Sequence, residues 1–420
     1  MSDRICDLVT RRQFVTGLGS AMLLVACSGR TVSLLQPDPT STLVDPEAAL
    51  PIGSVGSNTD RVLVVVEMGG GNDGLNTVVP HATNAYYDLR KNIRVTDPID
   101  LDGEIGLHPS LEFIAAEYEA GRVAIVEGVG VPDPDLSHFV SMASWWTASP
   151  DSSQGTGWLG RYLDGTVGYT APLAGIAIGP GPSRALLGNA SYAVAIRDET
   201  GLNPDVPAWV EDRDELMGIW AGFAPGGAEG ATDPVRQAIG TAVEARDALA
   251  QALDGTSQQR TRRATLESEL LLAARLINSE VSPTVIYVHG FGDFDTHLDQ
   301  RSRHDALMAQ LDAGLARFWA ELGPSAERVA VLTASEFGRR PRDNGSGTDH
   351  GTAASHILMG PSVAGGRHGE SPSLTALDAT GNPVHTVDYR SVYATVLDRW
   401  LQADADTILG ASYERLEVFT

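Results

Sequence analysis

The sequence predicts an α/β fold, a three-layer sandwich in which helices cover both faces of a mainly parallel sheet. Three observations carry this. Short apolar runs rich in β-branched residues recur along the chain, the pattern of strands buried on both faces. Segments with apolar residues at helical spacing lie between those runs. Polar, often glycine-containing clusters follow several of the runs, as connections at the carboxyl edge of such a sheet do.

Residues 1–27 stand outside that fold. Thr10-Arg11-Arg12-Gln13-Phe14-Val15 looks like a twin-arginine export signal, and the apolar stretch at 15–26 is too short to span a bilayer as a mature helix. Leu24-Val25-Ala26-Cys27 resembles a lipobox, with Cys27 receiving the lipid; the alternative is an ordinary residue of a cleaved signal. Residues 28–60 turn to Ser, Thr, Pro, Gly and Asp without a sustained period and are expected to form a flexible tether. One domain, 61–420, is expected to follow. Cys6 leaves with the signal, so a disulfide or a thiolate metal site is excluded from the mature chain.

Within the body, RVLVVVE at 61–67 is the first strand, and runs at 123–126, 174–178, 284–288 and 329–333 repeat its character, with 356–359 a weaker instance. Leu111, Ile114, Ala115 and Tyr118 mark a short amphipathic helix after Pro109, and Leu307, Leu311, Leu315, Phe318 and Leu322 a longer one. Residues 234–278 read as two helices broken near Gly255, and 389–401 as a closing helix. The chain carries 54 acidic against 30 basic residues, for a formal charge of −24, and Lys91 is its single lysine. A nucleic-acid backbone or an anionic lipid surface is therefore excluded as the partner of the body.

Chemistry collects after the strands. Gly69-Gly70-Gly71-Asn72-Asp73-Gly74 follows the first and formally contains G-x-G-x-x-G, but the chain continues Leu75-Asn76-Thr77-Val78-Val79-Pro80, β-prone rather than helical. A dinucleotide fingerprint is rejected on that ground. Asp73 then either projects into the carboxyl edge or satisfies its own turn. Ser137 reads as a helix cap or as a nucleophile at a helix N-terminus, and His138 alone decides nothing. The run at 284–288 leads into Asp293, Asp295 and His297, a carboxylate and imidazole set suited to a divalent metal. Asp295 or Thr296 could instead cap the next helix, on whose solvated face Gln300 and His304 are expected.

The run at 329–333 leads into Glu336, Arg339 and Arg340, then into a glycine-rich loop delivering Asp349 and His350. Glu336 suits a ligand or a general base, the arginines a clamp for phosphate, sulfate or carboxylate, and Asp349-His350 a further ligand pair. The alternative for the arginines is ion pairing in an acidic protein, with Glu336 as partner. Arg367 and His368 sit in a later turn without an assigned purpose.

Six stretches, GGGNDGLNTVVP, LSHF, TGWLGRYLD, FDTHLDQ, TASEFGRRPRDNGSGTDHGTAASH and VAGGRHG, together resemble the bacterial family called domain of unknown function 1501, over about 61–401. That family resembles the alkaline phosphatase–sulfatase superfamily. The resemblance implies an alkaline phosphatase-like sandwich with metals at the carboxyl edge. It places Asp73, Asp295, His297, Asp349 and His350 as ligands of a divalent metal (Zn, Mn, Fe, Mg or Ca), Glu336 as the acid after the next strand, and Ser137 in the nucleophile region; with the residue chemistry above, Glu336 as ligand or base and Arg339 as neutraliser of substrate charge are the expected catalytic groups. Two departures stand out: Glu336-Phe337 replaces the usual Asp-His pair, and no Ser/Cys-x-P-x-R motif surrounds Ser137. The implied function is a lipid-anchored, exported hydrolase whose partners are a small anionic phosphate or sulfate ester and the twin-arginine export machinery. The alternative is a non-catalytic binding or assembly protein on the same scaffold, which exposed aromatic loops around Trp145, Trp146 and Trp158 would favour.

Overall fold

A computed structural model describes residues 33–35, 50, 53–56, 60–150, 155–171, 173–191, 193–197, 245–253 and 264–420. The twin-arginine motif, Cys27, Gly255 and residues 234–244 lie outside the described residues.

The main sheet has ten strands: β1 (Ser33–Leu35), β2 (Val62–Glu67), β3 (Val123–Gly130), β4 (Gly175–Ile178), β5 (Ala193–Ile196), β6 (Val285–Val288), β7 (Val329–Ala334), β8 (Ala353–Met359), β9 (Gly366–His368) and β10 (Val387–Asp388). Their order is β1-β5-β4-β6-β2-β7-β8-β3-β9, with β10 also beside β3. Neighbours from β5 through β7 are parallel, and β3, β9 and β10 run the same way; β8 and β1 run against them. This is the predicted mixed α/β fold with a mainly parallel sheet.

β2 sits at the centre, between β6 and β7, with all six of its residues buried. Val62, Val64 and Val66 face one core, closed by helices Glu112–Glu119, Leu266–Asn278 and Gln300–Leu322; Leu63 and Val65 face the other, closed by helices His138–Thr147, Trp158–Thr166 and Tyr389–Thr395. Both faces are covered, which is why the run reads as continuously apolar instead of alternating. β8 is the exception that matters for the site: running backwards, it starts at the carboxyl edge, where Ala353 pairs with Gly130.

The structure corrects the expected tether. Ser33–Leu35 pairs with β5, Val55 is 2% exposed inside the second core, and its carbonyl accepts from Asp404 N at 2.8 Å. Of the described residues before 61, Ser33–Leu35 is joined to the body by backbone pairing and Val55 by packing. β5, β9 and β10 also go beyond the sequence reading. The closing helix ends in a π turn over Val396–Trp400, and among the described residues no helix is long and apolar enough to cross a membrane. Trp145 and Trp158 are buried, at 5% and 1% exposed, so they do not form an exposed aromatic surface.

Val55→Ala removes two buried methyl groups and is expected to cost about 2 kcal/mol in urea unfolding; no change would return this segment to the role of a tether.

Candidate metal centre

Because β2, β3, β6 and β7 point the same way, the segments that follow them emerge together on one edge. Two glycines after β2 let them meet. Gly70 (φ 111°) and Gly71 (φ 82°) lie in the left-handed region; a Cβ on Gly70 would stand 2.5 Å from Asp295 N, and one on Gly71 2.3 Å from the Phe337 ring. Gly74 does open a helix, Gly74–Thr77, against the β-prone reading of Leu75-Asn76-Thr77; it is a single turn, and the chain becomes a strand only at Val78–Val79. Two short strands, Gly338–Arg339 and His350–Gly351, pair as a ribbon that sets His350 opposite Arg339.

Three imidazoles converge on Asp295. His297 Nε2 and His350 Nε2 lie 3.1 and 3.2 Å from Asp295 Oδ1, and His138 Nε2 lies 3.6 Å from Oδ2. In each ring the other nitrogen faces an acceptor: His350 Nδ1 is 2.8 Å from Leu136 O, His138 Nδ1 3.0 Å from Glu336 Oε1, and His297 Nδ1 3.2 Å from Asp349 Oδ1. With the Nδ1 proton given to that acceptor, the Nε2 of each ring would be free to ligate a cation seated between it and Asp295. His297 Nε2 and His350 Nε2 also face one another at 3.1 Å. Ring nitrogens close to one carboxylate, each ring held from behind by an acceptor, match the arrangement in which metal-binding histidines are oriented.

The electrostatics agree. Counting the imidazoles as neutral, Asp295, Glu336 and Asp349 against Arg339 carry a formal charge of −2, which one divalent cation would balance. Partial burial alone would raise the Asp295 carboxyl, but the Arg339 hydrogen bond and charge, with His350 and His297, outweigh it and hold it at about 2. The Glu336 hydrogen bond raises His138. Glu336 is 3% exposed; its Oε1 accepts from Gly70 N at 2.7 Å, and its Oε2 is buried without a protein partner. His138, Asp295 and His350 offer ligand atoms within 4.8 Å of one another. Nitrogen and oxygen donors of this kind fit zinc, manganese or iron.

Several expected roles change. Arg339, 1% exposed, does not reach toward a substrate: its guanidinium donates to the carbonyls of Gly70, Gly71 (2.8 Å), Phe294 (3.0 Å) and Thr348 (3.1 Å) and to Asp295 Oδ1 (2.8 Å). Asp73 is not available as a ligand. Fully buried, it is ion-paired to Arg90, accepts from Gln300 Nε2 and caps the turn at Leu75 N (3.2 Å); burial alone would raise its carboxyl, and the Arg90 charge overrides this and lowers it. Gln300 and His304 face inward, 0% and 1% exposed, with His304 Nε2 3.1 Å from Asn72 Oδ1. Neither Asp295 nor Thr296 caps the helix that follows; Asp299 holds that position. Asp293 is turned outward to Arg303. Ser137 occupies the N-cap position of helix His138–Thr147 without a side-chain cap bond, and it is exposed.

Glu67 was not marked by the sequence, where it only ends an apolar strand. It is 7% exposed, and its Oε2 accepts from Trp146 Nε1 and Tyr287 OH, both at 2.8 Å. It thereby ties the helix that begins with His138 to the strand that precedes Asp295. Burial, opposed by those two bonds and aided by the charge of Glu336, pushes its carboxyl from an ordinary 4.5 up to about 7.

Residues 225–410 match the family described as protein of unknown function, DUF1501. The chain is also similar to solved structures. A protein of the alkaline phosphatase superfamily from Vibrio parahaemolyticus aligns at 10% identity over 96% of this chain and 78% of its own, with a TM-score of 0.38. The C-terminal periplasmic domain of EcEptC from Escherichia coli, in complex with zinc, aligns at 10% identity over 74% and 77%, with a TM-score of 0.36. Phosphonate monoester hydrolase of Agrobacterium radiobacter aligns at 12% identity over 84% and 78%, with a TM-score of 0.31. No curated protein matches the sequence.

Two variants separate structural acids from site acids. Arg90→Met strands the Asp73 charge in the interior, where both side chains are 0% exposed; it is expected to cost about 3–5 kcal/mol in urea unfolding. The folded state holds the Glu67 proton more tightly than the unfolded chain does, so that contribution is complete below pH 4.5 and is lost as pH rises toward 7. Glu67→Gln should therefore melt higher than wild type at about pH 8 and lose that advantage at about pH 4, as read by thermal melts.

Proposed function

We propose that the protein is an exported, metal-dependent hydrolase of phosphate or sulfate esters. The observation that supports this is the set of three imidazoles whose Nδ1 atoms are held by Leu136 O, Glu336 and Asp349 while their Nε2 atoms meet at Asp295. His138, Asp295, His297 and His350 would hold one divalent cation. When bound, that cation polarises an ester oxygen and lowers the pKa of a bound water. The reaction class comes from the motif resemblance, and the charge fits it: an edge carrying −2 repels an anionic ester until a dication balances it.

The chain's own residues prepare the site. Arg339 fixes Asp295 and the glycine turn so that one carboxylate faces three rings. Glu336 orients His138, and Asp349 orients His297. Ser137, exposed directly before His138 with no cap bond to hold its hydroxyl, is the candidate nucleophile should a covalent step occur. Export by the twin-arginine route and a lipid on Cys27 belong to the same proposal: both would put the site outside the cytoplasmic membrane. A second reading, a surface-anchored binding protein, is favoured by one observation, that backbone carbonyls occupy the arginine expected to clamp the substrate.

Calorimetric titration with Zn2+ and Mn2+ tests the proposal. Wild type should take up one equivalent, and His350→Ala and Asp295→Asn should each weaken uptake by about 100-fold or more, beyond the effect typical of an outer-shell partner. Hydrolysis of p-nitrophenyl phosphate or sulfate should fall in parallel. Metal uptake without hydrolysis of either ester would favour the binding protein, and no uptake would reject the metal centre.

A further inference from the structure

Three large apolar side chains stand out in solvent among the described residues: Phe139 at 89% exposed, Leu298 at 66% and Val384 at 55%. A single exposed leucine is ordinary; the position of these three is not. Phe139 follows His138 and Leu298 follows His297, two of the rings that meet at Asp295. Val384 lies between Pro383, whose carbonyl accepts from Thr352 Oγ1 two residues past His350, and His385, whose Cβ packs against Gly130 at the end of β3. All three are thus carried by segments at the carboxyl edge that hold or adjoin the cluster.

Packing does not account for the first of them. Helix His138–Thr147 buries Ser141, Ala143, Ser144, Trp145 and Thr147, and Phe139 is not on that face. Leu298 precedes Asp299, whose φ of 52° turns the chain into the next helix. Exposed apolar side chains on the segments that carry a charged centre are where the apolar part of a ligand with both characters would rest.

We propose that Phe139, Leu298 and Val384 form an apolar collar and that the substrate is an amphiphile: a phosphate or sulfate monoester whose anionic head enters the cluster and whose alkyl or aryl portion lies on the collar. This rests on the metal-dependent ester reading above. The head alone fits the charged centre; the tail supplies the contacts that keep the collar from water.

Binding of a homologous series to the full chain, with divalent metal supplied, tests the inference without relying on turnover. Methyl-, hexyl- and decylphosphonate are titrated calorimetrically into wild type and a Phe139→Ser/Leu298→Ser double variant. Wild type is expected to bind the decyl compound about tenfold or more tightly than the methyl one, from methylenes buried on the collar, and the double variant is expected to flatten the series. Equal affinity along the series in wild type overturns the collar while leaving the ester site standing. Failure of every phosphonate to bind removes the ester reading and the inference with it. Adsorption to phosphatidylcholine vesicles that depends on Phe139 and Leu298, without any chain-length effect, overturns the inference in favour of a membrane contact.

Discussion

The site depends on one buried guanidinium. Arg339 has almost no exposed surface, and its charge is sustained by four backbone carbonyls and one carboxylate. A buried cation without such partners is strongly unfavourable. Satisfying it requires Gly70 and Gly71 after β2, Phe294 and Asp295 after β6, and Thr348 from the glycine-rich loop to come to the same point. The turn after β2 can approach so closely only because two glycines leave room for the Asp295 backbone and the Phe337 ring. Asp295 is then held as a carboxylate, half exposed, at the place where three rings arrive.

The carboxyl edge therefore divides its polar residues into two kinds. One network is buried: Asp73 bonds to Arg90 and Gln300, Asn72 bonds to His304, and Thr77 Oγ1 joins the two sets, fixing the loop after β2 to the helix that starts at Gln300. The other network is open: His138, His297, His350 and Asp295 are in part accessible, and His138, Asp295 and His350 bring ligand atoms within 4.8 Å of one another. Glu67 lies behind the open network, where Trp146 and Tyr287 connect the His138 helix to β6. Similar residue types thus serve rigidity in one place and binding capacity a short distance away.

Much of this was legible in the sequence, for reasons that differ by element. β2 and β7 were plain because strands buried on both faces must be continuously apolar, and the segments after them drew notice because they carry more polar chemistry than a plain connection requires. β9 and β10 were not legible: GRH and VD are strands only because β3 offers an unpaired edge. Asp295, His297 and His350 could be read from their positions after strands. Asp73 looked equivalent to Asp295, and what separates them is Arg90, seventeen residues further on, whose arrival beside Asp73 is a tertiary event. The work of Arg339 was hidden because its partners are mostly carbonyl oxygens, which every residue carries. Glu67 was hidden because a glutamate that ends a strand looks like the start of solvent.

The central claim is that Asp295 and the three histidines hold a divalent cation. Anomalous diffraction from crystals grown with Zn2+ or Mn2+ would test it most directly. The account predicts one strong peak bounded by Asp295 and the Nε2 atoms of His138, His297 and His350, with Arg339 still bonded to Asp295. A peak at Asp73, or no peak at saturating metal with the rings unmoved, would contradict it.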